Sequence, residues 1–202
     1  MARSLRNIAP FCFHHVCNRG VRKRTIFLKD GDYKAFIKVL ADAGEKTGIR
    51  VIAFCLMPNH FHIVMQPTAD VSVSTYIHWV TSTHVRRYHK HYDQVGFGHL
   101  YKDRFRNTIC AEARNLLSVI RYVEANPLKA GLVKSAADWR WSSLWLREHG
   151  DPDGLLLDCP FPLPFNWVQY IDTTTVVDGG LVVRRKRYQE RQKRKVELRK
   201  KA

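Results

Sequence analysis

The chain has 202 residues, 45% of them hydrophobic, which suits one domain with a substantial core or a domain followed by a tail. Its formal net charge of +16 points to a polyanionic partner, nucleic acid ahead of membrane. No apolar stretch approaches the roughly 18 residues of a spanning helix, the opening lacks a signal-peptide run, and the 5 scattered cysteines form no C-x-x-C pair, so a soluble, cytoplasmic protein with reduced thiols is expected.

Pro10 to Cys17 reads as a short strand, and NRGVRK after it as a turn. In DGDYKAFIKVLADAGEKTG, Tyr33, Phe36, Ile37, Leu40 and Ala41 recur at helical spacing, with Gly48 placed to stop the helix. IRVIAFCLM and HFHIVMQ are apolar runs enriched in β-branched residues, and the turn chemistry of Met57, Pro58 and Asn59 between them predicts a hairpin. Val73 to Tyr92 reads as a second helix, with Tyr76, Trp79 or Val80, Thr83 and Arg87 on helical steps and Ser72 or Ser74 as cap. Beyond the glycine-hinged GFGHLYKD, Phe105, Asn107 and Ile109 alternate against Arg106, Thr108 and Cys110, the pattern of another strand. Leu116, Leu117, Ile120 and Val123 predict a helix that ends near Asn126, because Pro127 disfavours helical geometry in the residue before it. A further short helix is expected in SAADWRWSSLWLREHG. Strands mixed with helices, two of them joined in a hairpin, imply an α+β fold with helices packed on an antiparallel sheet.

Composition changes after Gly150. Residues 1–150 read as the folded domain, 151–183 as an extended proline-rich segment and 184–202 as a basic tail that carries +9 of the charge. That tail is expected to anchor phosphates without sequence preference. No internal repeat is present.

Within MPNHFHIVMQP the two-residue strand period sends His60 and His62 to one face and Phe61 to the other. Neutral imidazoles side by side suit a divalent metal, yet two ligands undersupport it and a third must come from elsewhere. Tyr122 and Asn126 are four residues apart, so they share a helix face. The Asn126 amide oxygen can complete the site, Tyr122 would hold its hydroxyl near the metal, and Arg121 and Lys129 would add positive charge. Set against this, an H-x-H pair is commonly two half-buried histidines, and Asn before Pro commonly ends a helix. A rival metal site in CFHHVC fails on geometry, since Cys12 and His14 face one way on a strand while His15 and Cys17 face the other.

MPNHFHIVMQP, GHLYKDRFRNTI and LLSVIRYVEANPLKAGLV, in this order, together resemble the REP-associated tyrosine transposases, a branch of the HUH single-strand transposase superfamily that includes IS200-like enzymes. FHHVCNRGVRKRTIFLKDGD and DWRWSSL extend the likeness from about Phe11 to Leu146. The resemblance implies a ferredoxin-like antiparallel sheet with helices packed on it. It further implies metal ligation by His60, His62 and Asn126, with Tyr122 as nucleophile. The metal in use would be Mg²⁺ or Mn²⁺, though imidazole would also accept Zn²⁺ or Ni²⁺. The expected substrate is single-stranded or hairpin DNA, cut and rejoined through a 5′-phosphotyrosine bond by a cytoplasmic, nucleoid-associated monomer or homodimer. Since the covalent bond preserves the energy for rejoining, no nucleotide cofactor is required, and no phosphate-cradling G-x-x-x-x-G-K-[ST] loop is present.

Arg86, Arg87, Lys102, Arg104 and Arg106, with Arg121 and Lys129, are the candidate phosphate contacts, and Tyr101, Phe105 or Trp79 can stack on unpaired bases, although Phe105 and Trp79 fit a core more readily than a base platform. Two other functions stay open on sequence: a DNA- or RNA-binding module of the same fold without transfer activity, and a zinc hydrolase, which the absence of an H-E-x-x-H pattern disfavours.

Overall fold

The computed structural model describes residues 12–110 and 113–174, so the basic tail lies outside the described residues. Its elements are β1 (Phe13–Arg19), α1 (Asp30–Thr47), β2 (Val51–Met57), β3 (His60–Met65), α2 (Val73–His91), β4 (Arg106–Cys110), α3 (Ala113–Glu124), α4 (Asn126–Lys129), α5 (Ser143–His149) and α6 (Trp167–Thr174). The sheet order is β2-β3-β1-β4, with every neighbouring pair antiparallel. Each of the two β-α-β crossovers skips one strand. That is the ferredoxin-like topology.

Local sequence explains the punctuation. α1 ends where Gly48 adopts φ 71°, a left-handed conformation that a side chain would strain, and its N–H bonds the Gly44 carbonyl at 2.8 Å. The Asp32 carboxylate accepts the backbone N–H groups of Leu28 (2.7 Å) and Lys29 (3.2 Å), closing the other end of that helix. Ser72 caps α2 by accepting the Thr75 N–H at 3.2 Å. At the close of β1 a Cβ on Gly20 would stand 2.3 Å from the Arg24 carbonyl oxygen, so only glycine lets the chain turn there.

The sheet is covered on both sides. On one face Val16, Phe54, Leu56, Phe61, Ile63 and Met65 pack against Tyr33, Phe36 and Leu40 of α1 and Tyr76, Ile77 and Val80 of α2. On the other, Ile52, Ala53 and Val64 meet Leu116, Ile120 and Val123 of α3, with Trp167 and Ile171 of α6 joining them. The apolar spacing that predicts α3 is the stripe that docks it.

Three expectations change in detail. α3 stops at Glu124, but Pro127 does not end the helical run. It sits in the first turn of α4, where its missing N–H leaves no carbonyl unpaired. The helix expected in residues 135–150 divides into a 3-10 turn, Ala136–Asp138, and α5. The segment read as extended gives way to helix at Trp167, after the last of its prolines, and α6 packs into the second cluster, so its contacts cross the domain boundary drawn at residue 150. Among the described residues, no helix is long and apolar enough to cross a membrane.

Candidate active site

Pairing register puts the two histidines in a polar row on the α3 face. His62 stands opposite Cys17 of β1 and Cys55 of β2, His60 opposite Arg19 and Met57, and His15 opposite Val64 and Thr108. Directly opposed residues share a face, so His15, Cys17 and Arg19 join His60 and His62 there. Phe61, between them, is fully buried in the first cluster.

α3 lays Tyr122 over this row. Its half-buried ring meets His62 edge-on, centroids 5.7 Å apart at 89°, and His15 at 6.0 Å and 74°. The His60 and His62 rings are 5.1 Å apart at 81°. The Lys129 ammonium, from the end of α4, lies 5.0 Å from the Tyr122 ring centroid.

Hydrogen bonds orient the imidazoles. His60 Nδ1 is 2.6 Å from the Asn59 side-chain oxygen, which can only accept, so Nδ1 carries the proton and Nε2 keeps its lone pair. His15 Nε2 lies 2.9 Å from His62 Nδ1, and the two rings stack with centroids 5.1 Å apart. Burial, and after it the Arg19 guanidinium, lowers the His60 imidazole from 6.5 to about 4. Burial takes His15 to about 4 as well. His62 falls well below its ordinary value through burial first, then its neighbours His15, His60 and Arg19. All three rings are therefore neutral at pH 7, the state that metal ligation needs.

The Asn126 Nδ2 donates to the carbonyls of Tyr122 (2.7 Å) and Val123 (3.2 Å), which leaves Oδ1 as the side-chain atom for another partner. Two imidazole nitrogens and an amide oxygen form a donor set suited to a divalent cation with open positions. Among the described residues, no group of three or more His, Cys, Asp or Glu side chains is disposed to hold a metal ion.

Glu124, two residues beyond Tyr122, fixes the helix in place. Its carboxylate is completely buried and accepts from Ser143 Oγ (2.5 Å), Trp167 Nε1 (2.8 Å) and the Arg147 guanidinium, whose second arm reaches the Ile52 carbonyl. α5, α6 and β2 so converge on the end of the tyrosine helix. An uncompensated carboxylate at such depth would cost several kcal/mol, on the order of 3–5, so the cluster holds as a unit.

The other candidate contacts separate by location. Arg106, exposed on the edge strand, lies opposite Cys17 and so shares the site's face. Lys102 and Arg104 are exposed in the preceding loop, which the Lys102 N–H ties to the Arg19 carbonyl at 2.9 Å. Arg121 places its guanidinium 4.9 Å over the Tyr170 ring of α6. Arg86 and Arg87 belong to α2, across the sheet from Tyr122, where Arg87 pairs with Asp42 at 3.4 Å. Trp79, Tyr101 and Phe105 pack against the first cluster, and the Tyr101 hydroxyl bonds His84 at 2.6 Å.

Sequence reasoning missed His15 and Arg19 as parts of this site. The strand period already put His15, Cys17 and Arg19 on one face of β1, but only the pairing of β1 with β3 shows that the face is that of His62.

The family model described as Transposase IS200 like matches residues 11–126, from before β1 to Asn126. A Haemophilus influenzae protein assigned by name to the REP-associated tyrosine transposases is 25% identical over 107 residues, covering 49% of this chain and 61% of that protein. The match thus spans less than two thirds of that relative's length. The solved structure of a REP-associated tyrosine transposase bound to a REP hairpin superposes with a TM-score of 0.62 at 17% identity, over 80% of this chain and 95% of the other, so it shares the fold. With a family match that spans residues 11–126, more than half of its length, the chain belongs to the IS200-like transposase family.

Proposed function

We propose that this protein is a DNA transposase of the REP-associated tyrosine type, which cleaves and rejoins single-stranded DNA at hairpin sequences with Tyr122 as nucleophile. The observation that carries the reading is the half-buried Tyr122 ring set edge-on against His62. The relative solved with a REP hairpin supports hairpin DNA as the substrate class.

In this reading His60, His62 and Asn126 would hold a divalent cation, Mg²⁺ or Mn²⁺. When bound it supplies Lewis-acid polarisation of the scissile phosphate. Tyr122 attacks phosphorus, forming a tyrosyl O–P bond to the 5′ side as the 3′ oxygen leaves and takes up a proton. A phenol with an ordinary value of about 10 is a weak nucleophile at pH 7, and the Lys129 ammonium lies 5.0 Å from the centroid of the Tyr122 ring. One phosphodiester replaces another, so reversal rejoins the strand without a nucleotide. Arg19 and Arg106, on the same face, offer charge for the backbone, with Lys102 and Arg104 in the adjoining loop. Because Tyr122, His60 and His62 meet within one chain, a monomer suffices.

Incubation with a labelled single-stranded hairpin oligonucleotide and Mn²⁺ tests the reading. The expected result is a covalent adduct that survives denaturation and is absent in Tyr122→Phe, which should lower cleavage by at least about 1000-fold while still binding DNA. Binding by the wild type without any adduct would instead identify a binding module of the same fold.

A further inference from the structure

We infer that His15 is a positioning residue, fixing the His62 ring in the tautomer that turns a bare Nε2 toward the cation; this rests on the metal site proposed above. The short contact between His15 Nε2 and His62 Nδ1, 2.9 Å, permits two arrangements of the proton. If His15 donates, His62 Nδ1 accepts, the His62 proton sits on Nε2, and that nitrogen cannot ligate. If His62 donates, its Nε2 keeps the lone pair. The neighbouring histidine breaks the tie by example, because the Asn59 oxygen at 2.6 Å holds the His60 proton on Nδ1. A chelating pair needs a bare nitrogen on each ring, and each Nδ1 has its own hydrogen-bond partner behind it: an amide oxygen from the hairpin turn for His60, an imidazole from β1 for His62. Outer partners of this kind set ring orientation and ligand basicity.

Stacking adds rigidity. His15 lies nearly parallel to His62, at 20°, and edge-on to Tyr122, at 74°, so one side chain touches both the proposed ligand and the proposed nucleophile. His15 is not itself read as a ligand, because the nitrogen with a partner in the structure is turned to His62 rather than shared with His60.

Long-range ¹H–¹⁵N NMR on the full metal-free chain decides the point without any activity assay. The expected spectrum shows His62 protonated at Nδ1; protonation at Nε2 overturns the inference. Mn²⁺ affinity, read by electron paramagnetic resonance, gives the second arm. His15→Phe should weaken binding by about 10–100-fold, while His15→Gln, whose amide oxygen can accept from His62 Nδ1, should stay within about threefold of wild type. Wild-type affinity in His15→Phe contradicts the proposal, as does equal loss in both variants. Should the variants fail to fold, the wild-type spectrum still decides. A wild type that binds no Mn²⁺ yet shows the Nδ1 tautomer would remove the metal site and leave the His15–His62 arrangement standing, so the two failures are distinguishable.

Discussion

Under α1 and α2, β3 contributes Phe61, Ile63 and Met65; under α3 the same strand contributes His60, His62 and Val64. The first face is closed by aromatic contacts, Phe36 against Phe61 at 5.2 Å and Phe27 against Phe36 at 5.2 Å, and its polar groups are tied off, as where the Tyr76 hydroxyl donates to the Leu40 carbonyl at 2.9 Å. The second is closed only in part. Its apolar stripe ends at Val123, and from there toward β1 and β4 the residues over the sheet are Tyr122, histidines and arginines. The comparison separates stability from chemistry: one face holds the fold, and the other spends part of its area on groups whose burial without partners would be costly.

The sharpest way to break that division is to truncate neighbours that point opposite ways. Phe61→Ala should lower stability by about 3–5 kcal/mol, read as a shift in the urea midpoint. His60→Ala should change the midpoint little while reducing adduct formation roughly 100-fold or more. Equal stability losses from the two would dissolve the distinction.

Acidification tests both faces together. His15 and His60 on one side and His84 on the other each have folded values of about 4 against an ordinary 6.5, with burial as the first cause in all three. Their folded values lie below the unfolded ones, so the unfolded chain takes up protons first as pH falls. The stability present above about pH 6.5 should therefore drain between pH 6.5 and 4, lowering Tm by at least about 5 °C in calorimetric scans at pH 7.5 and 4.5. A flat Tm across that window would mean these rings are more hydrated than the packing implies.

The smallest effect expected concerns surface charge. Arg106→Ala, on the site's face, should weaken hairpin DNA binding and reduce the salt slope by about 1, whereas Arg87→Ala, across the sheet and paired with Asp42, should leave both unchanged and cost about 0–1 kcal/mol of stability. Fluorescence anisotropy over a salt series measures both variants. A matching drop for Arg87→Ala would place DNA on the wrong side of the sheet.

What the sequence revealed follows from the range of the physics involved. The alternation in HFHIVM is local, so the opposed directions of Phe61 and the two histidines were legible, as were the α3 stripe and the Gly48 stop. Spacing alone put Tyr122 and Asn126 on one helix, whereas α3 ends at Glu124 and Asn126 opens α4. His15 was not legible, because its role depends on β1 lying beside β3, a pairing between residues 47 apart. α6 was hidden for another reason. Four prolines in 152–164 dominate the composition there, and the helix begins only after them, held by the bond from Trp167 to a glutamate 43 residues earlier. The helical placement of Arg87 was right in period and silent about direction, since an exposed arginine and a buried valine can both fall on plausible steps.

The central claim is that the Tyr122 oxygen becomes covalently bonded to DNA. Trapping wild-type protein on a single-stranded hairpin with Mn²⁺, digesting with nuclease and protease, and sequencing the modified peptide by mass spectrometry tests it most directly. The account predicts a nucleotide mass on Tyr122. Modification of any other residue, or cleaved DNA with no protein-linked nucleotide, would contradict it.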